Sequence, residues 1–154
     1  MIALDHVTAI VEDAETTARA LEAVLGIAAG PEVVLPGMSI RTLRIGEVEL
    51  HVNAPAGPGP VRDHLARHGP GLHHLAVRVA DLDAAMGALA ALSISTLGAP
   101  VETAKGLREV FLDPARTGGV MIQLVERRAE VRATDLDAAS TAALIEQAGA
   151  RITR

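Results

Sequence analysis

The chain has 154 residues and 15.9 kDa, enough for one domain with a buried core and too few for a large multidomain enzyme. Its 19 acidic against 14 basic side chains give a net charge of −5, which repels polyanions, and one Phe with no Tyr or Trp leaves no platform for stacking bases, so no nucleic-acid partner is expected. The absence of cysteine excludes disulfides, thiolate metal sites and a thiol nucleophile, so any metal must be held by His, carboxylate or amide oxygen.

In chain order, Asp5 to Val11 reads as a strand, and Asp13 stands where a side-chain oxygen caps a helix over Ala14 to Leu25. Strand-like runs follow at Ser39 to Ile45 and Glu47 to Asn53. The Pro- and Gly-rich stretch Ala54 to Pro60 is a linker, followed by a short helix over Val61 to Arg67 that ends at His68-Gly69-Pro70-Gly71. The opening pattern then returns: His73 to Val79 as a strand, Asp81 as a cap, a helix over Leu82 to Leu92, and strands at Arg108 to Leu112 and Val120 to Val125. His6 and His74 are 68 positions apart, as are Asp13 and Asp81, so the chain is an internal repeat of two β-α-β-β halves, each with room for one more short strand. Beyond Glu126, Thr134 to Asp137 reads as a capping box that opens a helix over about 135–147 with Gly149 as its stop. That helix is expected on the outside of the domain, with a dimer contact as the alternative. No stretch approaches the roughly 18 uninterrupted apolar residues of a membrane span, and Met1 to His6 has no basic lead, so a soluble, cytoplasmic protein with no membrane partner is expected.

Residues two apart in a strand share a face. In the first strand Val7, Ala9 and Val11 form the apolar face and leave His6, Thr8 and Ile10 opposite; the same parity sets His74 against Leu75, Val77 and Val79. In the fourth-quarter strand Gln123 opposes Ile122 and Leu124, and in the second half of module one Glu49 and His51 oppose Val48, Leu50 and Val52. Two such units curled about a pseudo-twofold bring His6, Glu49, His74 and Gln123 together: two imidazoles, a carboxylate and an amide oxygen, a set suited to a divalent first-row ion such as Zn, Co, Mn, Ni or Fe. His51, on Glu49's face, is expected to support this cluster or meet substrate. Arg78 faces the cup by parity and suits a substrate carboxylate, and Lys105 stands in a loop at the cup's mouth. His64 and His68 are expected to be exposed, and His73 has the wrong parity to join His74.

Leu4-Asp5-His6-Val7, Gly71-Leu72-His73-His74-Leu75-Ala76, Val48-Glu49-Leu50 with the Pro/Gly linker, and Phe111-Leu112-Asp113-Pro114 through Gly119-Val120-Met121-Ile122-Gln123-Leu124 carry a resemblance. The chain resembles the vicinal oxygen chelate superfamily (glyoxalase, bleomycin resistance, dioxygenase), and within it the methylmalonyl-CoA epimerase family, over roughly Leu4 to Glu126. The resemblance implies an α+β fold of paired βαβββ modules, about 1–55 and 71–126 joined by 54–70, forming a cup-shaped mixed sheet in a domain of 1–126, with 127–154 as a C-terminal extension. It also implies a homodimer, a divalent metal on His6, Glu49, His74 and Gln123, and a small acyl or acyl-CoA substrate that loses the proton α to its thioester carbonyl. Two departures stand out. Gln123 occupies the place where epimerases carry a Glu, and Ser39 to Ile45, where a second acid is common, has none. Glu49 is then the available base. The competing readings are a binding protein that sequesters a small ligand and a glyoxalase- or dioxygenase-type metalloenzyme.

Overall fold

The structure is a computed structural model and describes residues 2–149. Eight strands form one curled sheet in the order β2-β3-β4-β1-β5-β8-β7-β6. Module one supplies β1 (Ala3–Ile10), α1 (Ala14–Leu25), β2 (Val33–Leu35), β3 (Met38–Ile45) and β4 (Val48–Pro55); α2 (Pro60–His68) lies in the connection. Module two supplies β5 (Gly71–Arg78), α3 (Leu82–Ala91), β6 (Val101–Ala104), β7 (Leu107–Phe111) and β8 (Ile122–Arg127), and the chain continues into α4 (Ala138–Gly149). The short extra strands anticipated in each half are β2 and β6.

The halves begin alike because their local chemistry is alike. Asp13 accepts the Thr16 backbone N–H at 2.6 Å and Asp81 accepts that of Ala84 at 2.9 Å, each satisfying a free donor at a helix start. Helix α1 stops at Gly26, whose φ of 68° suits glycine. On one face of the sheet Ala14 and Ala18 of α1 pack on Leu43, Val52 and Ala54, while Leu82 of α3 packs on Val110, Leu112 and Leu124. This leaves the opposite, concave face for function.

β1 runs parallel to β4, β5 runs parallel to β8, and β1 and β5 join the modules as an antiparallel pair. In that central pair His6 lies opposite Ala76 and Thr8 opposite His74, the reciprocal register of a pseudo-twofold passing between the strands. Two bulges interrupt it, one between Leu4 and His6 and one between Thr8 and Ala9.

The tail differs from expectation. Its helix starts later, because Asp137 rather than Thr134 caps it by accepting the Ser140 N–H at 2.8 Å. It also does not lie on the outer surface. Leu144 and Ala148 pack with Phe111 and Met121, and Ile145 packs with Ile10, Met38 and Ile40, so α4 roofs the concave face. That face is lined by buried apolar side chains, and covering them is the stabilising solution. Among the described residues no helix is long and apolar enough to cross a membrane.

Leu43 is fully buried beneath α1. Leu43→Ala is expected to lower the unfolding free energy by about 2–5 kcal/mol in denaturant titrations; a loss under about 1 kcal/mol would contradict this packing.

Candidate functional site

Beneath the roof lies a cavity of about 100 Å³ whose wall includes His6, Glu49, His51, His74, Glu109 and Gln123. These come from five adjacent or near-adjacent strands, β4, β1, β5, β8 and β7, and all point to the concave face because the opposite parity is committed to the helices.

His6 is the most firmly held. Asp5 is a neighbour in sequence and strict alternation would turn it away, but the bulge at this point lets both side chains turn inward. Asp5 is buried and its Oδ1 takes the His6 Nδ1 hydrogen at 2.9 Å. Arg127 grips both Asp5 oxygens at 2.8 Å, and Arg78 adds a third hold at 2.7 Å. Burial alone would raise the Asp5 carboxyl, but the hydrogen bonds from Arg127, His6 and Arg78 outweigh it and hold it far below the usual carboxylate range. Arg78 is thus ion-paired with Asp5 while its side chain stays 46% exposed.

With Nδ1 donating to Asp5, His6 presents a bare Nε2 to the cavity. His74 is held by a second ring rather than by a carboxylate. Its Nδ1 lies 2.8 Å from His73 Nδ1, and the two Nε2 atoms of His6 and His74 face one another at 3.4 Å. When His74 Nδ1 donates to His73, two lone pairs oppose each other, an arrangement that a cation between or beside them relieves. Burial, reinforced by His51, pulls His6 down to about 4; burial and His73 pull His74 well below the usual histidine value, so both imidazoles are neutral at pH 7. Beside them the Gln123 Oε1 is buried without a hydrogen-bond partner. In that tautomer the two facing imidazole nitrogens and the orphaned amide oxygen fit a divalent ion.

The register separates Glu49 from His51, which share a face. His51 lies beside Thr8, and Gln123 lies beside Ala76; since Thr8 and Ala76 are related by the pseudo-twofold, so are His51 and Gln123. The His51 ring stacks on His6 with centroids 4.2 Å apart. Glu49 points aside, with Oε1 on Arg44 at 2.6 Å and Oε2 on His51 Nε2 at 3.1 Å. The His51 hydrogen bond, with Arg44 nearby, holds its carboxyl below the ordinary value. The structure thus brings His6, His74 and Gln123 together, adds His51, and sets Glu49 behind His51. Among the described residues no three His, Asp or Glu side chains already close around a common point; the amide completes the imidazole pair.

Other expectations change as well. His73 joins His74, because the second bulge breaks the alternation there. His64 is half-buried and meets the His73 ring at 4.6 Å between centroids, whereas His68 is exposed as anticipated. Lys105 lies in the β6–β7 turn, away from the cavity wall. A larger groove of about 810 Å³ shares Glu49 and Arg127 with the cavity and carries Arg44, Arg78, Arg128 and Arg132. Asp5, Arg127 and Glu109 were missed: the first lies at an irregularity, the second lies beyond the strand run read from the sequence, and the third lay in a strand whose alternation, Leu107-Glu109-Phe111, had not been assigned a face.

Residues 5–111 match the Glyoxalase/Bleomycin resistance protein/Dioxygenase superfamily, and the chain belongs to it. Among solved structures, it is similar to methylmalonyl-CoA epimerase from Mycobacterium tuberculosis (27% identity, TM-score 0.74, covering 82% of this chain and 88% of that one). It is also similar to Streptomyces coelicolor methylmalonyl-CoA epimerase in complex with 2-nitronate-propionyl-CoA (26%, TM-score 0.73, 82% and 97%). A hypothetical protein from Bacillus halodurans C-125 shares the fold at 23% identity (TM-score 0.78, 85% and 98%). No curated protein matches the chain.

Burial also lowers His73 to about 4. Between pH 6.5 and about 4 the unfolded chain binds protons that folded His6 and His73 refuse, so stability rises with pH across this window and is lost as pH falls through it. Thermal melts of chelator-treated protein are expected to drop progressively over that range; a flat profile would contradict the buried neutral imidazoles.

Proposed function

We propose that this protein is a metal-dependent isomerase that inverts the carbon α to the carbonyl of a small acyl thioester, as methylmalonyl-CoA epimerases do. The observation that carries this reading is the facing pair of His6 and His74 Nε2 atoms, 3.4 Å apart beside the unpartnered Gln123 oxygen, in a member of a superfamily whose solved neighbours include such epimerases. In this reading His6, His51, His74 and Gln123 hold a divalent ion such as Co, Mn, Zn, Ni or Fe. When bound, the ion supplies Lewis-acid stabilisation of negative charge on the thioester oxygen.

The chain supplies the rest. Asp5 fixes the tautomer and angle of His6, and Glu49 does the same for His51. Glu49 lines the cavity, is kept ionised by His51 and Arg44, and is the base that removes the α-proton. The arginine-bearing groove gives an anionic thioester its approach, and the α4 roof keeps bulk water from the reacting carbon. A two-histidine, one-carboxylate oxygenase set would need a carboxylate at the place beside His6 and His74 where the Gln123 amide stands.

Incubation with methylmalonyl-CoA in deuterated water is expected to place deuterium at the α-carbon in an ion-dependent, chelator-sensitive way. Stoichiometric binding without label would instead indicate sequestration and overturn the proposal. Asp5→Asn is expected to weaken Co(II) affinity by about 10–100-fold in isothermal titration, because His6 loses the negative charge that makes it a stronger donor to the ion and Arg127 and Arg78 lose their anion; wild-type affinity in that variant would contradict the role given to Asp5.

A further inference from the structure

The cup has a second carboxylate. Glu109 sits on β7 with its side chain on the cavity wall between Leu107 and Phe111, 7% exposed. Its carboxylate accepts from the Thr103 hydroxyl of β6, and among the described residues no Lys or Arg forms an ion pair with it; Arg127, which acts on it through space, is bonded to Asp5. A buried carboxyl without a cation is costly to keep ionised, and burial pushes Glu109 upward. A purely structural contact to Thr103 would be served as well by Gln, which has no such cost.

Register gives its place relative to the candidate ion ligands. Ile40 of β3 pairs with Asn53, two residues beyond His51; Glu109 of β7 pairs with Val125, two residues beyond Gln123. Since His51 and Gln123 are pseudo-twofold mates, Glu109 is the mate of Ile40. The first wall of the cup therefore presents Met38 and Ile40 from β3, and the second presents a carboxylate at the equivalent point. In sheet order Glu49 on β4 and Glu109 on β7 flank His6, His74 and Gln123 on β1, β5 and β8.

Resting on the isomerase reading above, we propose that Glu109 is the second catalytic acid–base residue of this site, serving the face of the α-carbon opposite to the one served by Glu49. In one direction Glu49 takes the α-proton, the C–H electron pair moves into the enolate with its charge on the thioester oxygen, and Glu109 in its acid form returns a proton to the same carbon from the β7 side. Glu49 ends protonated and Glu109 ionised. The reverse direction uses these forms, and proton exchange with solvent resets the pair, so no other reactant is consumed. Two carboxyl groups on the same cavity wall, on strands to either side of those that carry His6, His74 and Gln123, are the placement that a two-sided acid–base couple requires.

The test follows single epimers of methylmalonyl-CoA in deuterated water with wild type, Glu109→Gln and Glu109→Asp, alongside Co(II) titration and thermal melting of each. Glu109→Gln is expected to keep wild-type Co(II) affinity and to slow epimerisation by about 100-fold or more. It should still wash deuterium into the epimer whose hydrogen faces Glu49, with configuration retained. Glu109→Asp should recover part of the epimerisation. Epimerisation within about threefold of wild type, an equal loss of exchange from both epimers, or a fall in Co(II) affinity beyond tenfold would each overturn the role of Glu109. Wild-type protein inert toward both epimers would instead remove the isomerase reading, and this inference with it.

Discussion

The antiparallel pairing of β1 with β5 is the constraint on which the rest of the molecule depends. It joins two modules that could otherwise fold as separate half-sheets, and its reciprocal register, His6 against Ala76 and Thr8 against His74, sets the two imidazoles diagonally across the pseudo-twofold. The parallel partners β4 and β8 then bring His51 and Gln123 alongside. A one-residue slip in the central pair would turn one module's set of these side chains away from the other's. The fold and the site are therefore fixed by the same hydrogen bonds.

Around that axis the two halves have been specialised differently. Module one contributes imidazoles from both of its inner strands and a carboxylate, Glu49, held by Arg44 and His51. Module two contributes an imidazole, an amide and the buried Glu109. Asp5 couples the halves electrostatically, because its partners Arg78 and Arg127 both belong to module two while His6 belongs to module one. Positioning of His6 is thus linked to correct docking of the modules, and a fault at their seam is felt at the site.

Much of this was legible in the amino acids. The 68-residue repeat exposed the two modules, the Asp13 and Asp81 caps located their helices, and alternation selected the concave face that carries His6, Glu49, His51, His74 and Gln123. Alternation alone ranks Glu49 and His51 equally, since both share a face; only the register across β1 shows that His51 is the mate of Gln123. Asp5 and His73 were hidden by bulges, which break the two-residue period at the points where the chain turns an extra side chain inward. The helix of the tail was readable but not its seat, because an amphipathic pattern tells that a face is buried and not against what.

The central claim is that the facing imidazoles of His6 and His74 hold a divalent ion together with His51 and Gln123. Anomalous diffraction at the cobalt edge from crystals of the Co(II)-loaded protein tests it most directly. The account predicts one strong peak per chain within bonding distance of both Nε2 atoms and the Gln123 Oε1. A chain that binds no cobalt there, or a peak seated elsewhere, for instance at His64 and His68, would contradict it.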